Sequence, residues 1–166
     1  MKRGKKNKKT HGIGKDYYIL EGLKLLSQSN AKYLIVGGVA SNLYGLSRGT
    51  KDIDILIPKD LKNTEKILKA LENLTWGLSK EIFPEEVISK PFTIIGDMPR
   101  VDLLLQAGKI CFNDAYPRRE EKKLANLKLP VVSFEDLILS KNTDRPRDLL
   151  EIKEMMQMKK LKKKLK

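Results

Sequence analysis

Two aspartates separated by one residue, Asp52 and Asp54, lie in an otherwise apolar run with Ile53, Ile55, Leu56 and Ile57. Aspartate is depleted in strands, and side chains alternate faces along a strand, so this spacing turns both carboxylates to one side. Their α-carbons are then about 7 Å apart, twice the rise per residue. Two carboxylates on one face repel and raise each other's pKa unless a cation sits between them. Hard oxygen ligands of this kind suit Mg2+ or Mn2+. The plainer reading of the pair alone is a strand end whose acids face water.

Asp102, in Arg100-Val101-Asp102-Leu103-Leu104, is another lone acid in an apolar run. Three acids on two strands can enclose two metal ions. Gly37-Gly38 directly follows the β-favouring run Tyr33–Val36. Glycine there permits a tight turn and lets phosphate approach backbone N–H groups at a helix start, although a Gly-Gly turn is often structural. Lys141 falls in the last turn of an expected helix, where a cation is favourable in any case, so phosphate binding and dipole compensation are both open to it. Arg48 reads either as a triphosphate ligand or as a loop cation. The single histidine, His11, assembles neither a zinc set nor a triad. No G-x-x-x-x-G-K-[ST] loop occurs, and Gly37-Gly38 lacks the third glycine of a dinucleotide turn. A metal-dependent nuclease would use clustered acids but needs neither the glycine turn nor the arginine before them.

These groups need elements to hold them. Apolar residues at Ile19, Leu20, Leu23, Leu25 and Leu26 predict a helix within 13–29, ended at Ser27–Asn30. A strand over 33–36, the glycine turn and a helix over 39–46 follow. Alternation predicts a strand over 52–57, then a helix over about 60–74. Phe92–Ile95 and Val101–Gln106, joined by Gly96-Asp97-Met98-Pro99, predict a hairpin. Ser133 with Asp136 resembles a capping box opening a helix, and another helix starts at Pro146. Met155, Met156 and Met158 are expected to pack one face of it, and Trp76 is expected in the core. The fold class is therefore α+β: a small mixed sheet with helices packed against it, the last of them C-terminal.

A chain of 166 residues suits one domain with a real core. Of its formal charge of +13, six basic residues lie in Met1–Lys9 and six in Lys159–Lys166, leaving 22 basic against 21 acidic residues elsewhere. The body is nearly neutral, and such like-charge blocks read as solvated tails. The expected layout is a disordered basic tail over 1–12, a domain over 13–158 and a basic tail over 159–166, with nucleic-acid binding a possible role of the tails. One cysteine, Cys111, forms no internal disulfide, and no secretory signal or membrane-length apolar run occurs. A cytoplasmic location, with no membrane contact, is expected.

Gly37-Gly38, thirteen intervening residues and Asp52-Ile53-Asp54-Ile55 resemble the signature of the polymerase-beta-type nucleotidyltransferase superfamily. Ser41 and the run from Arg48 through Thr50 to Asp54 are similar to the small prokaryotic members, including the abortive-infection toxin-like and minimal nucleotidyltransferases. Val101–Leu104 resembles their third-acid strand, and Lys141, Arg145 and Asp148 resemble their C-terminal set. The likeness covers about 33–152. It implies Asp52, Asp54 and Asp102 as catalytic and metal-binding residues, with Mg2+ or Mn2+ as cofactor. Gly37, Gly38, Ser41, Arg48, Thr50 and Lys141 would bind the nucleotide, ATP or another nucleoside triphosphate. The implied reaction moves a nucleoside monophosphate to a hydroxyl acceptor (small molecule, protein or tRNA end) by a two-metal mechanism and releases pyrophosphate. The larger enzymes hold the acceptor in a helical domain, and too little chain follows Asp148 for one. A rival expectation is therefore a triphosphate-binding regulatory or toxin–antitoxin module acting through a partner protein.

Overall fold

The computed structural model describes residues 13–166, so the expected tail over 1–12 and His11 lie outside the described residues. Helix α1 (Ile13–Ser27) leads into strand β1 (Leu34–Val36), which runs without a loop into α2 (Gly37–Leu43). Strand β2 (Asp52–Leu56) and α3 (Leu61–Ala70) follow. After a short 3-10 turn at Leu78–Glu81 come α4 (Pro84–Ser89) and the pair β3 (Phe92–Ile95) and β4 (Arg100–Leu104). A small pair, β5 (Gln106–Ala107) and β6 (Ile110–Cys111), precedes α5 (Phe112–Ala115) and the hairpin β7 (Glu120–Leu124) and β8 (Leu127–Val131). Helices α6 (Phe134–Ser140) and α7 (Pro146–Lys164) complete the chain.

The main sheet has six strands in the order β3-β4-β2-β1-β8-β7. It is mixed: β2 runs parallel to β4 and β1 parallel to β8, while β1–β2, β3–β4 and β7–β8 are antiparallel. Alternation sorts its two faces. Ile53 and Ile55 of β2 pair laterally with Val101 and Leu103 of β4, and all four are buried. Helix α1 packs against β2 and β8 and touches α3. The intervening positions, Asp52, Asp54, Arg100 and Asp102, share the opposite face by the same period of two. A well-packed apolar side thus fixes the register that aligns the acids, because a one-residue slip would turn them into the core.

Local chemistry explains the element ends. The Asp60 carboxylate accepts the Asn63 backbone N–H at 2.6 Å to cap α3, and Ser133 accepts from Asp136 N–H at 3.1 Å to cap α6. The reciprocal half of the expected capping box is absent, since the Asp136 carboxylate receives Arg118 at 2.9 and 3.1 Å. Pro146 occupies the first turn of α7, where its missing N–H costs nothing, and Lys162–Lys164 occupy the last, the favourable end for cations. The basic block at 159–166 therefore continues α7 to Lys164. Met155 is fully buried and Met158 packs against the core, but Met156 is 43% exposed, so the methionines do not share one face. The expectation for Trp76 is corrected: it is 81% exposed, at φ +56 in the turn before Gly77, which carries its indole outward. Among the described residues no helix is long and apolar enough to cross a membrane.

Candidate functional site: three aspartates in a cationic cleft

The parallel pairing of β2 and β4 sets Asp54 directly beside Asp102, and Asp52 beside Arg100. Lateral neighbours in a sheet are about 5 Å apart, so Asp102 is nearer to Asp54 than Asp52 is. On the other side Val36, the last residue of β1, pairs with Asp54. The chain then turns through Gly37 at φ +63. A Cβ on Gly37 would fall on the Asp54 carboxylate, and one on Gly38 would lie 2.8 Å from Thr50 Oγ1. Gly37 is therefore required by its left-handed backbone and by the acid strand it passes over, while Gly38 abuts the Thr50 side chain in the loop before β2.

Gly37, Gly38, Arg48, Asp52, Asp54, Asp102 and Lys141 all line one cleft of about 540 Å3. Arg145, Arg147 and Asp148 from the start of α7 line it too, as do Phe92, Arg100 and Leu104. Ser41 and Thr50 are not on its wall. The Ser41 side chain is buried and directs its hydroxyl proton to Glu151 at 2.5 Å. Thr50 donates to the Asp52 carbonyl at 3.2 Å and braces the turn against Gly38.

Sequence reasoning missed three contributors. Glu151, on α7, is 4% exposed and receives Ser41, Arg48 and, at 3.0 Å, Lys141. Arg100 donates two hydrogen bonds to Asp102, at 2.7 and 2.8 Å. Its i, i+2 spacing to Asp102 was the available signal, the same spacing that singled out Asp52 and Asp54. The Asn42 side-chain amide donates to the Arg48 carbonyl at 3.0 Å and accepts from the Arg48 N–H at 3.3 Å, and so fixes the loop before β2.

The electrostatics follow from this packing. Burial, then the charges of Asp102 and Asp52, push the Asp54 carboxyl up to about 6, with Lys141 pulling weakly the other way. The charged form of Asp54 is thus disfavoured, first by burial and then by the neighbouring acids. The Asp102 carboxylate holds the Arg100 guanidinium firmly charged. For Glu151 burial raises the pKa, yet the hydrogen bonds and charges of Ser41, Lys141 and Arg48 outweigh it and leave it below the ordinary carboxylate range.

The donor set fits a divalent cation in chemistry: hard carboxylate oxygens, clustered and mutually repelling. Its arrangement is not yet a coordination shell. Among the described residues no three acidic, His or Cys side chains already stand around a common metal position. Arg100 donates to both oxygens of Asp102, so a cation drawing on all three acids shares that carboxylate with Arg100 or displaces it.

Two solved structures resemble the fold. The lincosamide antibiotic adenylyltransferase LnuA, in its lincomycin-bound crystal structure, is 19% identical, with a TM-score of 0.55 over 85% of this chain and 96% of that one. A Thermotoga maritima protein described as a candidate nucleotidyltransferase is 17% identical, with a TM-score of 0.48 over 93% and 96%. No curated protein matches the chain. Residues 17–165 match the family described as nucleotidyltransferase of unknown function (DUF6036), and the chain belongs to that family.

Proposed function

We propose that this nucleotidyltransferase moves a nucleoside monophosphate from a nucleoside triphosphate to a hydroxyl acceptor, releasing pyrophosphate, with Asp52, Asp54 and Asp102 as its catalytic carboxylates. The observation that carries the reading is the meeting, in one cleft, of an acid row registered across β2 and β4 with the cationic groups of Arg48, Lys141, Arg145 and Arg147. Such a cleft suits a ligand that is both strongly anionic and metal-dependent. The triphosphate lies along the cationic wall beside Gly37-Gly38, which add no side chain of their own to the cleft. Asp52 and Asp54 would hold Mg2+ or Mn2+. When bound, the cation lowers the pKa of the attacking hydroxyl and offsets charge on the triphosphate.

In the transfer step the acceptor oxygen bonds to the α-phosphorus while the bond from that phosphorus to the bridging oxygen breaks. Pyrophosphate leaves toward Arg48 and Lys141. Asp102, released by Arg100, accepts the hydroxyl proton. No covalent enzyme intermediate is needed.

The test is incubation with each α-labelled triphosphate and Mg2+ or Mn2+, with and without cell extract as acceptor source, followed by separation of labelled products. Asp52→Asn and Asp54→Asn are expected to abolish product and weaken metal-dependent triphosphate binding. Asp102→Asn is expected to keep most affinity while losing transfer by roughly 100-fold or more, as for a group used chiefly in the transition state. Triphosphate binding without transfer to any acceptor would overturn the enzyme reading in favour of a binding module.

A further inference from the structure

Glu151 stands apart from the other acids of the site. It is not on the cleft wall, yet its buried carboxylate meets three of the groups expected at the phosphates: Oε1 accepts from Ser41 at 2.5 Å and from Lys141 at 3.0 Å, and Oε2 accepts from Arg48. The three donors come from α2, the loop before β2 and the end of α6, segments distant in sequence. Arg145 and Arg147, by contrast, are exposed and make no ion pair among the described residues. The cleft therefore has two kinds of cation: two held from behind and two loose at the rim.

A buried carboxylate costs free energy unless donors satisfy it, and here both oxygens are satisfied. Two long cations tied to one rigid acceptor have lost the rotamer freedom that an anionic ligand would otherwise have to remove. Lys141 also lines the same cleft as Asp52, Asp54 and Asp102, so its ammonium stands between buried Glu151 and the space beside the acid row.

We propose that Glu151 is the positioning residue of the phosphate wall, fixing Lys141 and Arg48 as a preorganised pair facing the triphosphate. It touches neither substrate nor metal and acts through the two cations. The proposal rests on the reading that a triphosphate occupies the cleft. It makes α7 part of the site even though most of that helix is remote from the acids.

The experiment measures binding of inorganic tripolyphosphate with Mg2+ by calorimetry, which reads the phosphate wall without any base or acceptor. Wild type, Glu151→Gln, Lys141→Met and the double variant are compared at one salt concentration, each checked for a folded state by circular dichroism. Glu151→Gln keeps volume and removes charge. It is expected to weaken binding roughly 10-fold through lost preorganisation. The double variant is expected to lose less than the sum of the two single losses, because with Lys141 gone Glu151 acts through Arg48 alone. If Glu151→Gln does not fold, Glu151→Asp, with its charge kept and its reach cut by one methylene, takes its place with a smaller expected loss. Unchanged or tighter binding by a folded Glu151 variant, or full additivity with Lys141→Met, would overturn the positioning role alone. Wild type that bound no tripolyphosphate would remove the occupied cleft, and the role of Glu151 with it.

Discussion

Asp54 illustrates how a site is kept ready at a cost to stability. Its folded-state pKa, about 6, lies above the ordinary value of 3.8. A raised pKa means its stabilising contribution is complete below about 3.8 and is lost as pH rises through about 6. At pH 7 the ionised, repelled carboxylate therefore weakens the metal-free protein. Asp54→Asn is expected to stabilise that protein at pH 7, on the order of 1–3 kcal/mol, with the advantage shrinking as pH falls from 7 to 5. Thermal melts of both proteins across that range check it, and a pH-independent difference would remove the electrostatic account. The acids were legible in the sequence because aspartate inside an isoleucine run is anomalous for a strand. Glu151 was not, because a lone glutamate in a charged helix looks like any solvated residue until the fold shows what covers it. Trp76 misled for the reverse reason: large aromatic rings are usually buried, but a left-handed backbone at a turn overrides that preference.

The strand–turn–helix unit β1–α2 passes close over the acid strand only because Gly37 carries no side chain there. Gly37→Ala would place a methyl group on the Asp54 carboxylate at a backbone angle that L-residues rarely adopt. Strain of order 1–3 kcal/mol is expected, lowering the melting temperature by about 2–4 °C per kcal/mol for a chain of this size. The same variant is expected to lose metal-dependent triphosphate binding, since the methyl group displaces the Asp54 carboxylate proposed to hold the cation. A variant that melts like wild type would show that the turn relaxes freely. Elements with a clean period, such as β2 and the β3–β4 pair, could be read from the sequence. The β7–β8 hairpin could not: Glu120-Glu121-Lys122-Lys123 carries no apolar alternation because β7 is a solvated edge, and Pro130 argues against a strand. Helix α4, six residues long, is too short to show a helical period.

In the whole molecule, the C-terminal basic block is carried at the far end of α7. Lys159–Lys166 belong to or follow the distal turns of α7, where Lys159 pairs with Glu135 at 2.6 Å and stacks over Phe134. Removal of residues 1–12 is expected to leave nucleotidyl transfer unchanged, because none of the proposed ligands lies there. Any RNA retention that depends on them should be steeply salt-dependent and absent from the trimmed protein. Equal retention by both forms would place the polynucleotide surface on the body. The lateral pairing of β2 with β4 also has a kinetic consequence. Asp54 and Asp102 are neighbours in the sheet but 48 positions apart in the chain, and β1 meets β8 across a still longer span. Such non-local contacts close late and slow folding. A pocket built on them has no partial form, so its ligand should recognise only the finished protein. Magnesium triphosphate is therefore expected to slow unfolding in denaturant and leave the refolding rate unchanged. Acceleration of refolding by the ligand would mean that the acid row is already assembled at the transition state.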